Sequence, residues 1–227
     1  MRKAFTLPVA ALFIVACTDS TAPDNNASMA ESVRGPAAAL SLSEGFESGA
    51  SNVGVWTPER FSTSPGTKVK AATTFLGRFA DELVTLRVPA GMTNLTLTFD
   101  IYIIGSWDGA GIQGFGGDLW QVEVERAGVR ANLFHTSFSN QNTKPQHYPN
   151  QIDKGTRPNG TKALALNALG YPKASAKFDV GDAIYRMSFN VSNPTGGEVI
   201  FHFHTTTPLQ GETDESWGLD NVQVSGN

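Results

Sequence analysis

The sequence predicts an all-β fold: an antiparallel β-sandwich, a jelly roll of about nine or ten strands. Three observations predict it. Stretches of alternating apolar and polar residues recur along the chain. Turns rich in Gly, Pro and Asn separate them. Helical periodicity is almost absent. Period-two alternation is the mark of a strand with one face in a core and one toward water.

The chain has 227 residues and a formal net charge of −4. Residues 1–16 read as a signal segment, with Arg2 and Lys3 ahead of an apolar run too short to span a membrane. The run ends at Ile14-Val15-Ala16-Cys17, and Cys17 is the only cysteine. This junction resembles the bacterial lipoprotein signal, and the resemblance implies that Cys17 is lipidated and becomes the first residue of the mature chain. The expected location is then the cell envelope, lipid-anchored at the outer membrane or the cell surface, with the membrane as partner through the anchor. A lone cysteine leaves no disulfide within the domain, so stability must come from the core or from metal ions. The acidic balance excludes a basic face for nucleic acid.

Residues 17–40 carry the lipidated cysteine and a flexible tether, rich in Thr, Ser, Asn, Pro and Ala. Residues 41–227 are the sandwich domain. Residues 43–49 predict a short strand and turn, with Trp56 following. Residues 73–80 predict a strand with Phe75 and Phe79 on one face and Gly77 between them. Residues 82–88 place Val84, Leu86 and Val88 toward the core. Residues 93–104 give the strongest strand. Leu95, Leu97, Phe99, Ile101 and Ile103 share a face, with Thr96, Thr98, Asp100 and Tyr102 opposite, which fixes the register.

A glycine-rich loop leads to residues 118–126, with Trp120, Val122 and Val124 inward. Residues 130–137 complete a hairpin through Ala127-Gly128. Residues 139–160 form a polar loop long enough to be either functional or disordered. Residues 162–169 permit a helical turn. Residues 182–191 and 198–205 alternate again, with Tyr185, Met187, Phe189 and Val191 on one face of the first and Val199, Phe201 and Phe203 on one face of the second. The last strand is expected at 219–224.

Gly45-Phe46-Glu47 near the start and Leu219-Asp220-Asn221-Val222 at the end resemble the first and last strands of jelly-roll carbohydrate-binding and adhesion modules. With Ser106-Trp107-Asp108-Gly109, Asp118-Leu119-Trp120 and Asp214-Glu215-Ser216-Trp217-Gly218, the chain is similar to a group of bacterial secreted sandwich domains on surface-anchored proteins. The resemblance implies a structural calcium ion shared by Glu47 and Asp220, with Glu44 a further ligand. Carboxylates from distant segments suit calcium, which takes six to eight oxygens. The competing reading makes Glu47 and Asp220 solvated carboxylates or turn caps.

Asp108, Asp118, Asp214 and Glu215 form a second acidic group, able to hold a second ion if their loops converge. Trp107, Trp217 and Tyr148 are candidate ligand-binding aromatics, with Phe115 and Tyr171 less constrained. Trp107, Trp120 and Trp217 equally fit a core, with the aspartates serving turn geometry. His202 and His204 share a strand face, without an identifiable third metal ligand. Glu123 and Glu125 also share a face. They lack the intervening aspartate and third acid of sandwich glycoside hydrolases. No Gly-x-Ser-x-Gly, His-Glu-x-x-His or phosphate-loop motif occurs.

Three function classes follow in order. The first is a monomeric, non-catalytic, surface-anchored module with structural calcium that recognises glycan or another extracellular component. The second is a purely structural or adhesive envelope lipoprotein. The third is a glycan hydrolase.

Overall fold

The computed structural model describes residues 40–52, 55–111, 117–176, 178 and 180–227. The signal segment, Cys17, the tether as far as residue 39 and Phe115 lie outside these residues. The described chain contains twelve strands and no helix. They are β1 (Leu40–Glu44), β2 (Trp56–Thr57), β3 (Phe61–Thr63), β4 (Thr74–Phe79), β5 (Val84–Val88) and β6 (Asn94–Gly105), followed by β7 (Leu119–Arg126), β8 (Val129–Ser137), β9 (Ala165–Leu166), β10 (Asp182–Ser192), β11 (Val199–Thr205) and β12 (Glu215–Gly226).

They form two antiparallel sheets. The first runs β3-β4-β12-β6-β10-β9, with β1 also on β12; the second runs β2-β5-β11-β7-β8. From β4 to β7, and again from β10 to β12, each connection crosses from one sheet to the other, as in a jelly roll. The last strand is central. β6 lies along one edge of β12, while β4 and β1 take successive parts of the other. The first strand therefore closes on the last, Glu44 opposite Val222.

The alternation expected of β6 is the alternation found. Leu95, Leu97, Phe99, Ile101 and Ile103 are buried between the sheets, facing Val84, Leu86, Val122, Val124, Phe201 and Phe203. Each such side chain contributes roughly 1.5–3 kcal/mol on burial. Phe99, Trp120, Phe203 and Trp217 form the aromatic centre, with Trp120 and Trp217 edge to face at 5.9 Å.

The outer face of β6 differs from expectation. Asp100 and Tyr102 are buried, because a second apolar cluster of Phe75, Tyr102, Ile104 and Leu169 covers the sheet there. Phe75 and Phe79 fall on opposite faces rather than one. Phe79 packs on Trp217 in the core, and Phe75 packs on Tyr102 outside. The cause is a register shift between β4 and β12 at Trp217 and Gly218, which breaks the alternation. The Phe75 ring then lies over Gly218, where a Cβ would stand 2.4 Å from it.

Other boundaries move. β1 precedes the expected first strand, and the expected segment continues as a turn closed by Gly49 N–H to Phe46 carbonyl at 2.8 Å. β12 begins at Glu215, ahead of the expected start. Residues 162–169 hold no helix; Ala165 and Leu166 pair with Ile184 and Ala183. The polar loop at 139–160 is tied down by buried Gln146. Its Oε1 accepts from Ser139 and Gly160 N–H and from Tyr185 hydroxyl, and its Nε2 donates to the carbonyls of Tyr148 and Thr161.

Candidate functional site

Four carboxylates converge at one end of the sandwich. β6 ends in Gly105 at a φ of 87°, and this lets the chain pass against the 211–214 turn: a Cβ on Gly105 would stand 1.8 Å from the Asp214 carbonyl. Ser106 N–H then donates to that carbonyl at 2.9 Å, and Ser106 Oγ donates to Asp214 Oδ1 at 2.6 Å. Asp108 N–H donates to Asp118 Oδ2, so the loop between β6 and β7 brings those two aspartates together. Glu215 stands opposite Gly105 in the β12–β6 ladder. It shares the core-facing parity of Trp217 and Leu219, and it has no exposed surface.

The sequence places Glu215 in the second acidic group, and its parity with Trp217 is the signal for its burial: an acid two residues before Trp217 lies on the core face of the strand. Its protein donors are Gln210 N–H at 3.2 Å and Ser106 Oγ at 3.5 Å. Burial pushes Glu215 up to about 8, and the charges of Asp118, Asp214 and Asp108 add to the rise. Asp118 is also buried and is raised to about 6. Burial is the main cause, the Asp108 N–H bond and Lys144 work against it, and the charges of Asp108 and Asp214 work with it. The cation in contact is Lys144, whose Nζ lies 2.5 Å from Asp108 Oδ2. Gln141 Nε2 holds the other Asp108 oxygen at 3.2 Å.

Among the described residues no three His, Cys, Asp or Glu side chains already stand as a metal-binding set. The chemistry of the acidic end nevertheless fits a hard divalent ion. Four carboxylates supply oxygens of the kind calcium takes, and among the described residues the ion pair with them is that of Lys144 with Asp108.

The pair expected to share calcium lies elsewhere, on the outer face of the first sheet. Asp220 stands opposite Asp100 in the β12–β6 ladder. Its Oδ2 accepts Tyr102 hydroxyl at 2.5 Å, and its Oδ1 accepts Asn221 N–H at 2.7 Å. Asn221 adopts a φ of 49° at the bulge in β12, a conformation that Asn tolerates better than most residues, and its Nδ2 donates to Asp100 Oδ2 at 2.9 Å. The Asp-Asn pair of the closing motif is thus structural. Asn221 turns the strand and Asp220 caps the turn.

Glu47 is near enough for its charge to help burial raise Asp220 to about 6, with Asp100 adding to it. Glu47 accepts from Thr73 hydroxyl and from Thr74 N–H at 3.1 Å. Arg186 grips Asp100 through two bonds of 2.8 and 2.9 Å, so this group already has a cation. Glu44 is not part of it. Glu44 faces the other side of the sheet, beside Val222, and accepts from Asn52 N–H and Nδ2 at 3.0 and 2.7 Å.

Trp107 and Trp217, expected as ligand platforms, are wholly buried and present no face to a sugar. Trp107 Nε1 donates to Ser216 carbonyl at 3.0 Å, and Trp217 Nε1 donates to Ala80 carbonyl at 2.9 Å. The core reading of these rings is the one the packing supports, because each fills space between the sheets. Tyr148 is nearly buried and donates to Arg186 carbonyl at 3.0 Å. It also lines a shallow cleft with Phe134, Pro149 and Phe189.

His202 and His204 are paired with Glu125 and Glu123 at 2.9 and 3.2 Å on the outer face of the second sheet. Arg130 holds Glu125 as well, so neither glutamate stands free as an acid–base pair. Two groups escaped the sequence reading. Buried Asp182 accepts four consecutive backbone N–H groups, from Ala168 to Tyr171, at 2.7 to 3.1 Å. Arg78 lines a cavity together with Tyr171 and Lys173.

No family model matches the chain, and no curated protein matches it. Among solved structures, the chain is similar to the K1 cleaved adhesin domain of Lys-gingipain from Porphyromonas gingivalis W83, at 14% identity and a TM-score of 0.40, over 83% of this chain and 99% of that one. It is similar to the K2 cleaved adhesin domain of Lys-gingipain at 15% identity and a TM-score of 0.38, over 82% and 98% of the two chains. The K3 domain from the same organism gives 11% identity and a TM-score of 0.38, over 83% and 99%. At these values the likeness assigns neither a function nor a site.

Proposed function

We propose that the chain is a non-catalytic recognition module, held at the cell envelope by a lipidated Cys17, stabilised by calcium at the acidic end of its sandwich, and acting as a monomer on a glycan or another extracellular component. The observation that carries the calcium reading is Glu215: a carboxylate without exposed surface, set among Asp108, Asp118 and Asp214, with Lys144 as the cation in contact. Uncompensated buried carboxylates cost free energy, and a bound ion offsets that cost. Glu47 with Asp220 is the alternative position, less favoured because Arg186 already neutralises Asp100 beside it. The non-catalytic reading is supported by Glu123 and Glu125, which are engaged by His204, His202 and Arg130.

Terbium luminescence tests the metal position. Terbium replaces calcium at oxygen sites and is excited by nearby indoles, and Trp107 joins the strand residue directly after Glu215 through its bond to Ser216. Tryptophan excitation is expected to give terbium emission that excess calcium abolishes. Glu215→Gln is expected to remove the emission and Asp220→Asn to leave it. Loss only in Asp220→Asn would move the ion to the outer face, and no emission from the wild-type protein would end the calcium reading.

A further inference from the structure

Arg78 is half-buried, yet it makes no ion pair with a carboxylate among the described residues. Its partners are neutral. Nε donates to Ser216 Oγ at 2.9 Å, Nη2 donates to Glu212 carbonyl, and the guanidinium carbon lies 5.1 Å from the centre of the Tyr171 ring. Three contacts therefore fix the group while leaving its charge unspent. A partly buried cation that no carboxylate contacts favours an anion from outside, because water screens it poorly there.

The space in front of it is a cavity of about 400 Å³, lined by Arg78, Tyr171, Pro172, Lys173, Thr213 and Asp214 together with Ile104 and Gly105. Lys173 is exposed and brings a second positive charge. Tyr171 and Pro172 bring flat apolar surface, and Thr213 brings a hydroxyl. The volume falls within the range of small-molecule sites.

We propose that this cavity binds the carboxylate of an acidic sugar residue, a uronic acid within a glycan, with Arg78 as the fixed anchor, Lys173 as the flexible second cation, and Tyr171 and Pro172 against the sugar's C–H face. The proposal rests on the reading of the chain as a recognition module and names the ligand class. A planar guanidinium matches a carboxylate with two parallel N–H bonds. The mixed apolar and hydroxyl lining fits a sugar ring better than an acidic side chain on a peptide, which would leave the Tyr171–Pro172 surface uncovered. Asp214 belongs both to this lining and to the acidic end, so neutralising it with calcium reduces the negative charge that opposes the ligand.

Isothermal titration of the full-length protein in calcium, with a uronic-acid hexasaccharide and with the same oligosaccharide methyl-esterified at its carboxylates, tests this. Binding of the acid and loss of binding on esterification are expected. Lys173→Glu, at an exposed position, and Arg78→Gln are each expected to weaken binding by about tenfold or more, the loss of one charge-assisted contact. Near-UV circular dichroism reports whether each variant is folded. No binding of the acid overturns the proposal, as does equal binding of the ester, an unchanged affinity in Lys173→Glu, or tighter binding of an Asp/Glu-rich hexapeptide. Terbium emission is read on the same protein preparations after calcium has been removed. Retained emission without sugar binding rejects the sugar site alone, and absent emission rejects the calcium reading separately.

Discussion

Trp217→Ala is expected to lower stability by roughly 3–5 kcal/mol, the range for removing a fully buried large aromatic. Trp217 has no exposed surface and sits on β12, the strand that holds β4, β1 and β6 together. Its ring meets Phe79 at 5.1 Å and Trp120 at 5.9 Å. Alanine leaves a cavity between two rigid sheets and strips Ala80 carbonyl of its indole N–H. Urea unfolding measures the loss. Trp217→Phe keeps most of the volume and is expected to cost clearly less. A Trp217→Ala protein as stable as the wild type would contradict the placement of this ring in the core, and with it the correction from ligand platform to packing residue.

Asp182→Ala is expected to lower stability by at least about 3 kcal/mol, because several buried N–H donors lose their acceptor together. The wild-type carboxylate is fully buried and accepts from Ala168, Leu169, Gly170 and Tyr171. The damage should be local first. This segment carries Leu169 and Tyr171, which cover the outer face of the first sheet. Hydrogen exchange at residues 168–171 is expected to rise far more than at β6. Asp182→Asn keeps one accepting oxygen and should fall between the two. Unchanged protection at 168–171 in Asp182→Ala would remove the assigned role. The same substitution should also weaken acidic-sugar binding, since Tyr171 lines the Arg78 cavity.

What the sequence reveals depends on whether a residue's role is set locally. The five core positions of β6 are legible because strict alternation on a two-faced strand leaves one register. The closure of the first strand on the last is legible from the paired end motifs. The faces of Phe75 and Phe79 are not, because Arg78 is an extra residue in β4 opposite consecutive Trp217 and Gly218, and that mismatch exists only once β4 pairs with β12, far along the chain. Asp182 reads as one more acid at a strand start, since its four donors come from a loop whose path the chain does not encode in any periodic signal. The tryptophans are conspicuous as residue types, but composition does not distinguish a ring between sheets from a ring at a surface. Glu215 is legible as an acid of the closing stretch; its burial follows from parity with Trp217 only because β12 begins at Glu215. Arg78 is not legible, because its significance is that no carboxylate among the described residues pairs with it, a property of the folded surroundings.

The proposed calcium ion at the acidic end makes an expectation for thermal melting in calcium and in chelator across pH. Glu215 is raised from its ordinary value of 4.5 to about 8. Without metal, its contribution to stability is therefore fully present below 4.5 and is lost as pH rises through about 8. Asp118, raised from 3.8 to about 6, adds a loss over the lower part of that window. In chelator the melting temperature is predicted to fall as pH rises toward 8. In calcium the fall is predicted to disappear, and in Glu215→Gln the chelator curve is predicted to flatten. Wild-type curves that coincide in calcium and chelator above the Glu215 transition would remove calcium from the acidic end.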